Sequence, residues 1–242
     1  NTAQLGLTVA NVGDSQLDGT VKVKYNLPNI YEGRTISAAP RNVKAISKKV
    51  ASKVSDPSTD GIAVVLGYDG GHNEAVGVGN SPWAIFGQYY TEQMMAAIKG
   101  MTIGSMDVYI EEIPVRASMQ VYVHGDNGTE LVAEQEFTPQ PSSWNRVEFD
   151  SPYVIDGRAV TYGVYIEGME EQHYYIGVDA TPAIPGRGDL CNIGNDIWWS
   201  MADLGIPHNF CVRANVYGEA TPAISWLTLD KDALSIAAGG RE

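Results

Sequence analysis

From residue 61 onward, apolar and polar positions alternate in short runs, the period-two pattern of strands that bury one face. Met106, Val108 and Ile110 alternate with Asp107, Tyr109 and Glu111, and Met119, Val121 and Val123 alternate with Gln120, Tyr122 and His124. Val160, Tyr162, Val164 and Ile166 follow the same rule, as do Phe210, Val212, Ala214 and Val216. Turn residues separate the runs: Gly125-Asp-Asn-Gly128, Asp156-Gly157, Gly186-Arg-Gly188 and Gly194-Asn-Asp196. Many short strands at this spacing predict an all-β fold, a sandwich or barrel, rather than alternating βαβ units. The strand carrying Trp144 should end at Pro152, which has no amide donor for a ladder.

Three segments break the pattern. Thr91 to Lys99 is rich in helix formers and stopped by Gly100, which suits a helical turn or a strand of poor propensity. Val43, Ile46, Val50 and Val54 recur at helical spacing among Lys44, Lys48, Lys49 and Lys53, predicting a short basic amphipathic helix or linker. Leu5 to Tyr25 reads as two strands around a polar turn. Two strands alone are marginal in water. The expected partner is the C-terminal stretch Ile224 to Gly240, with Trp226 as its largest apolar anchor.

Composition agrees with the pattern. The 242 residues are 44% hydrophobic, enough for a sizeable core, and 26 Gly, 12 Pro and 13 Tyr against 19% charged residues suit a turn-rich β protein. A formal charge of −13 argues against nucleic acid or an anionic membrane surface as the main partner. Residues 1–60 nevertheless carry eight Lys/Arg against five Asp/Glu, so the acidity belongs to the β-rich body. No apolar run approaches a membrane span, and Asn1-Thr2-Ala3-Gln4 is no signal peptide, which suggests a processed chain or a piece of a larger one.

Motifs of catalysis are missing: there is no Gly-x-Ser-x-Gly elbow, His-Glu-x-x-His pair, phosphate loop or dinucleotide fingerprint. Glu111-Glu112, Glu134/Glu136 and Glu170-Glu171 read as solvated edges and loops, and strand neighbours such as Glu111 and Glu112 should point apart. His72, His124, His173 and His208 have no ligand-like spacing. Cys191 and Cys211 form either one bridge or two free thiols. The expectation is a protein that is not an enzyme, with a glycoside-acting pair of carboxylates as the remote alternative.

Two groups are candidates for binding. Tyr68-Asp-Gly-Gly-His-Asn-Glu74 concentrates carboxylates and flexible backbone, so Asp69 and Glu74 are candidate ligands of a structural calcium, with an Asx-rich turn as the alternative. Asp189 to Asp196, with Asn192 and Asn195, is a second calcium candidate; no other cofactor is expected. Trp198, Trp199 and Tyr174 are the candidate ligand-binding residues, because an exposed ring can stack on the apolar face of a sugar. Adjacent strand residues face opposite ways, so one tryptophan should be buried and the other exposed. Trp83 and Trp144 are assigned to the core.

Several stretches in order then carry a resemblance: Gly100 to Ile110, Met119 to Val123, Trp144 to Gly157, Thr161 to Ile166, a tryptophan loop, and Asn209 to Gly218. Together they resemble the jelly-roll domains of the cleaved-adhesin and choice-of-anchor type, over roughly residues 61–218. The flanks Leu7 to Leu17 and Ser225 to Gly240 are similar to parts of small immunoglobulin-like repeats. The resemblance implies partial immunoglobulin-like strands at 1–35, a jelly-roll sandwich at 61–218 and a truncated repeat from 219 to 242, and the residue pattern sets the basic linker or short helix at 36–60 between the first two. It further implies a secreted or surface-anchored, noncatalytic adhesion module, sometimes holding calcium, whose partner is a glycan or a host or matrix protein. A spacer beside a catalytic domain is the alternative function.

Overall fold

The structure, a computed structural model, describes residues 15–20, 37–39, 43–49, 54–79, 81–126, 128–168, 173–194, 197–220 and 233–236. In chain order the strands are β1 (Leu17–Thr20), β2 (Lys44–Lys49), β3 (Val64–Leu66), β4 (Glu74–Gly79), β5 (Trp83–Tyr90), β6 (Thr102–Ile110), β7 (Arg116–Gly125) and β8 (Gly128–Phe137). They continue as β9 (Ser143–Val154), β10 (Ala159–Glu167), β11 (Ile176–Pro182), β12 (Leu190–Asn192), β13 (Trp198–Ser200), β14 (His208–Phe210), β15 (Val212–Tyr217) and β16 (Ala233–Ile236). One short helix, α1 (Glu92–Ala96), follows β5.

The chain divides into two compact units. In the smaller, the C-terminal segment does partner the N-terminal one: β1 and β16 pair antiparallel, Leu17 opposite Ile236. The larger unit, Ile30–Thr221, is an antiparallel β-sandwich, the fold class the alternation predicts. Its six-stranded sheet runs β13-β12-β5-β10-β7-β8. The eight-stranded sheet runs β2-β4-β11-β6-β15-β3, with β14 added on β11 and β9 on β6.

Between the sheets lie Phe86, Met119, Val121, Tyr162 and Val164 from one side and Leu66, Met106, Val108, Phe210 and Ala214 from the other, all buried. Phe86 meets Phe210 edge-on at 5.2 Å. Two polar side chains that cross the core carry partners: Tyr162 Oη donates to the Leu66 carbonyl at 2.7 Å, and Gln88 Nε2 donates to that of Phe210 at 2.8 Å. Buried polar atoms need such partners to avoid the cost of losing water. The segment rich in helix formers is indeed α1. Thr91 caps it, its side-chain oxygen accepting from the Met94 amide, and Gly100 closes the turn at φ +89.

Two expectations are corrected by tertiary pairing. The helix predicted across Val43 to Val54 is instead strand β2, whose six residues pair with β4 from Lys44↔Gly79 to Lys49↔Glu74. Helical spacing there competes with a full ladder, and the ladder wins because β4 offers an unpaired edge. Exposed lysines suit the new edge that β2 creates. The Val50 and Lys53 parts of that pattern lie outside the described residues. Strand β9 likewise does not end at Pro152. Its register with β6 slips between Glu148 and Tyr153, so the proline sits in an irregularity and pairing resumes.

Candidate functional site

The two sheets present very different outer faces. On the eight-stranded sheet, β6, β9 and β15 place Asp107, Tyr109, Trp144, Arg146, Arg213 and Asn215 outward. Arg213 donates to both Asp69 oxygens, Nη2 to Oδ1 at 2.5 Å and Nε to Oδ2 at 3.0 Å, and pairs with Asp56 at 3.2 Å. Its guanidinium also stacks over the Trp144 ring, 4.4 Å from the centroid. Burial works against this charge, but Asp69 and Asp56 outweigh it and hold Arg213 above an ordinary arginine. Arg146 engages Asp107 through two bonds of 2.7 and 2.8 Å and the Ser58 carbonyl at 2.7 Å. Residues 54–62 are thus tied across this face by two arginines.

The same geometry places the two calcium candidates. Asp69 already holds a guanidinium on both oxygens, where a calcium ion would need them, and Oδ1 also caps the Gly71 amide at 3.0 Å. Glu74 belongs to the β4 ladder opposite Val178. Among the described residues no three His, Cys, Asp or Glu side chains converge as a metal site. In the second candidate, Asp189 is fully buried and accepts from Ser200 Oγ and, at 3.2 Å, the Ala202 amide, while Asn192 Oδ1 caps Gly194 at 2.7 Å; Asn195 and Asp196 lie outside the described residues. Between Asp69 and the sheet, His72 stacks on Tyr109 at 3.4 Å. Burial lowers its pKa to about 4, so the ring is neutral.

Trp198 and Trp199 do face opposite ways, as strand neighbours must, yet both are buried, at 3% and 0% exposure. The expectation of one exposed ring fails because the sheet interior takes Trp199 and a cluster on the outer face covers Trp198. Tyr174 lies elsewhere: Lys48 sits over its ring at 5.7 Å, and its amide donates to Glu112. The three residues therefore do not form one site. Glu111 and Glu112, expected to diverge, both reach Lys48 Nζ, at 3.9 and 3.4 Å, because β6 ends at Ile110 and the chain bends there. Cys191 and Cys211 are buried free thiols whose pKa burial pushes well up. Cys191 lies on strand β12.

The six-stranded sheet carries the aromatic surface. Gly87 of β5 and Gly163 of β10 pair directly, leaving a strip of bare backbone at the centre of the face. The Trp198 indole lies over it; a Cβ on Gly87 would come within 3.4 Å of that ring and 2.8 Å of the Tyr162 carbonyl. From β13 the indole reaches Tyr122 of β7, with centroids 6.1 Å apart although three strands intervene. Ile85, Leu190 and Trp198 form the buried part of this cluster, and Trp83, Tyr89, Tyr122 and Tyr165 pack against it half-buried. Trp83 and Tyr165 adjoin at 5.6 Å. Assigning Trp83 and Trp144 to the core is thus corrected: each stands half-buried on an outer face, Trp83 on this sheet and Trp144 on the other.

Polar groups border the rings in an ordered chain. Tyr122 Oη donates to Gln120 Oε1 at 2.6 Å, Gln120 Nε2 to Glu134 Oε1 at 2.8 Å, and Ser118 Oγ to the same oxygen at 2.7 Å. Arg116 lies over Tyr165, 5.9 Å from its centroid, and pairs with Glu136. His124 Nε2 meets Thr161 Oγ1 at 2.7 Å. Alternation along β7 and β10 marks these residues as outward-facing, but nothing in the one-dimensional pattern shows that they share a patch.

No protein-family model matches the chain, and neither does any curated protein. Two solved structures are similar to it. One contains the cysteine protease and lectin-like domains of Cwp84, a surface layer associated protein of Clostridium difficile; identity is 12%, TM-score 0.42, over 60% of this chain and 34% of that one. The other concerns carbohydrate-binding modules from the beta-sandwich super family; identity is 12%, TM-score 0.33, over 69% of this chain and 56% of that one. The chain therefore spans about a third of the first and just over half of the second.

Proposed function

We propose that this protein is a noncatalytic glycan-recognition module of a secreted or surface-anchored protein, and that it binds on the outer face of the six-stranded sheet. The observation that carries the reading is the half-buried set Trp83, Tyr89, Tyr122 and Tyr165 on one face, beside side chains already fixed by hydrogen bonds. Aromatic rings offer an apolar platform to sugar C–H faces, and adjacent carboxylate and amide groups meet the hydroxyls. Holding those groups in place beforehand lowers the ordering cost of binding. The extracellular setting rests on the resemblance to surface-protein jelly rolls. A noncatalytic role is supported by where the acids and thiols go: Glu111 and Glu112 share Lys48, and both cysteines are buried.

Burial of both Trp198 and Trp199 favours a second reading, a structural spacer beside another domain. The full chain on an array of neutral and charged glycans separates the two. Binding to a glycan, weakened about tenfold or more by Tyr165→Ala and by Trp83→Ala with the unfolding midpoint little changed, is the expected result. Silence across the array from folded protein would leave the spacer.

A further inference from the structure

The charge of this same face selects its ligand. Around Tyr165 the register of β7, β8 and β10 gathers Glu134, Glu136 and Glu167 against one guanidinium, Arg116. Arg116 forms its ion pair with Glu136 and also feels the charges of Glu134 and Glu167, so one guanidinium serves three carboxylates and the spot keeps a negative surplus. Glu134 is exposed, and two donors, Ser118 Oγ and Gln120 Nε2, converge on its Oε1. Its Oε2 takes no hydrogen bond from the described residues. The result is a carboxylate locked in orientation, with one oxygen turned to solvent beside an aromatic platform.

Resting on the glycan reading above, we propose that this face recognises uncharged sugars and excludes anionic ones, with Glu134 accepting hydrogen bonds from ligand hydroxyls. A hydroxyl donating to an ionised carboxylate makes a stronger bond than one donating to a neutral group. A uronate, sialate or sulfate brought to the same spot meets three carboxylates offset by a single guanidinium. Like charges so placed give specificity by repulsion. The opposite outer face, where Asp69 and Asp107 are each held by an arginine, has no such surplus at its centre.

Titration calorimetry of the full chain with polysaccharides matched in linkage tests this: neutral β-1,4-mannan against β-1,4-polymannuronate, and dextran against dextran sulfate. A neutral polymer should bind at least about tenfold more tightly than its anionic partner, and the gap should narrow as salt screens the face. Glu134→Gln should weaken neutral binding by about tenfold while leaving the unfolding midpoint in place. An anionic polymer that binds as well as its neutral match overturns the proposal, as does unchanged affinity in Glu134→Gln where Tyr165→Ala abolishes binding. In both of those cases the glycan reading itself survives. Absence of binding to every polymer sinks the two together.

Discussion

The outer faces of the two sheets are built from the same residue types and end up in opposite states. On the eight-stranded sheet the buried central charges are paired: Asp69 with Arg213, Asp107 with Arg146, and a tryptophan beneath one of the guanidinium groups. Residues 54–62 then close over it through Asp56 and the Ser58 carbonyl. On the six-stranded sheet a glycine pair lowers the floor, rings lie across it half-buried, and carboxylates outnumber cations. Saturated polar groups stabilise, and unsaturated ones remain available to a ligand. The difference locates buried ion pairs on one side of the sandwich and the proposed recognition face on the other.

Breaking the saturated face should have the largest effect. Arg213→Met leaves Asp69, whose side chain is 0% exposed, buried without its cation, at a cost of about 3–5 kcal/mol in urea unfolding. A loss under 1 kcal/mol would mean that water reaches Asp69. Next comes acid. His72 is held neutral, with its pKa lowered from 6.5 to about 4 by burial. The unfolded chain takes up that proton first as pH falls, so stability is full above pH 6.5 and is lost toward pH 4, by up to about 3 kcal/mol. Urea midpoints across that window should flatten in His72→Phe, which keeps a ring against Tyr109; an unchanged slope would assign the acid sensitivity to other groups.

The smallest expected loss sharpens the other side of the comparison. A Cβ on Gly163 would stand 2.4 Å from the Phe86 carbonyl oxygen and 2.8 Å from the Gly87 Cα, so Gly163→Ala must push β5 and β10 apart. About 1–3 kcal/mol of stability should go, and tryptophan fluorescence should shift as Trp198 is displaced from the strip. A neutral effect would show that the floor has room to spare, and that the glycine pair does not set the shape of the recognition face.

Much of this was open to reading in one dimension. Alternation in β6, β7, β10 and β15 placed the core residues correctly, because one face of each strand meets the other sheet. The opposite orientation of Trp198 and Trp199 follows from strand geometry alone. Their burial does not, because it depends on what arrives over β13 from β5 and β7. The alternation also could not assign β2, where a helix and a ladder fit the same residues until β4 supplies an edge.

The sequence by itself therefore determined the fold class, the turns and the inward set, all of which depend on neighbours a few residues away. Only the tertiary structure decided the chemistry. Asp69 and Arg213 stand 144 positions apart and meet as an ion pair. Trp83, Tyr122, Tyr165 and Trp198 come from four strands that the order β13-β12-β5-β10-β7-β8 brings side by side. Strand order in an antiparallel sandwich is set by which apolar faces can be buried together, so a site assembled across strands leaves almost no trace along the chain.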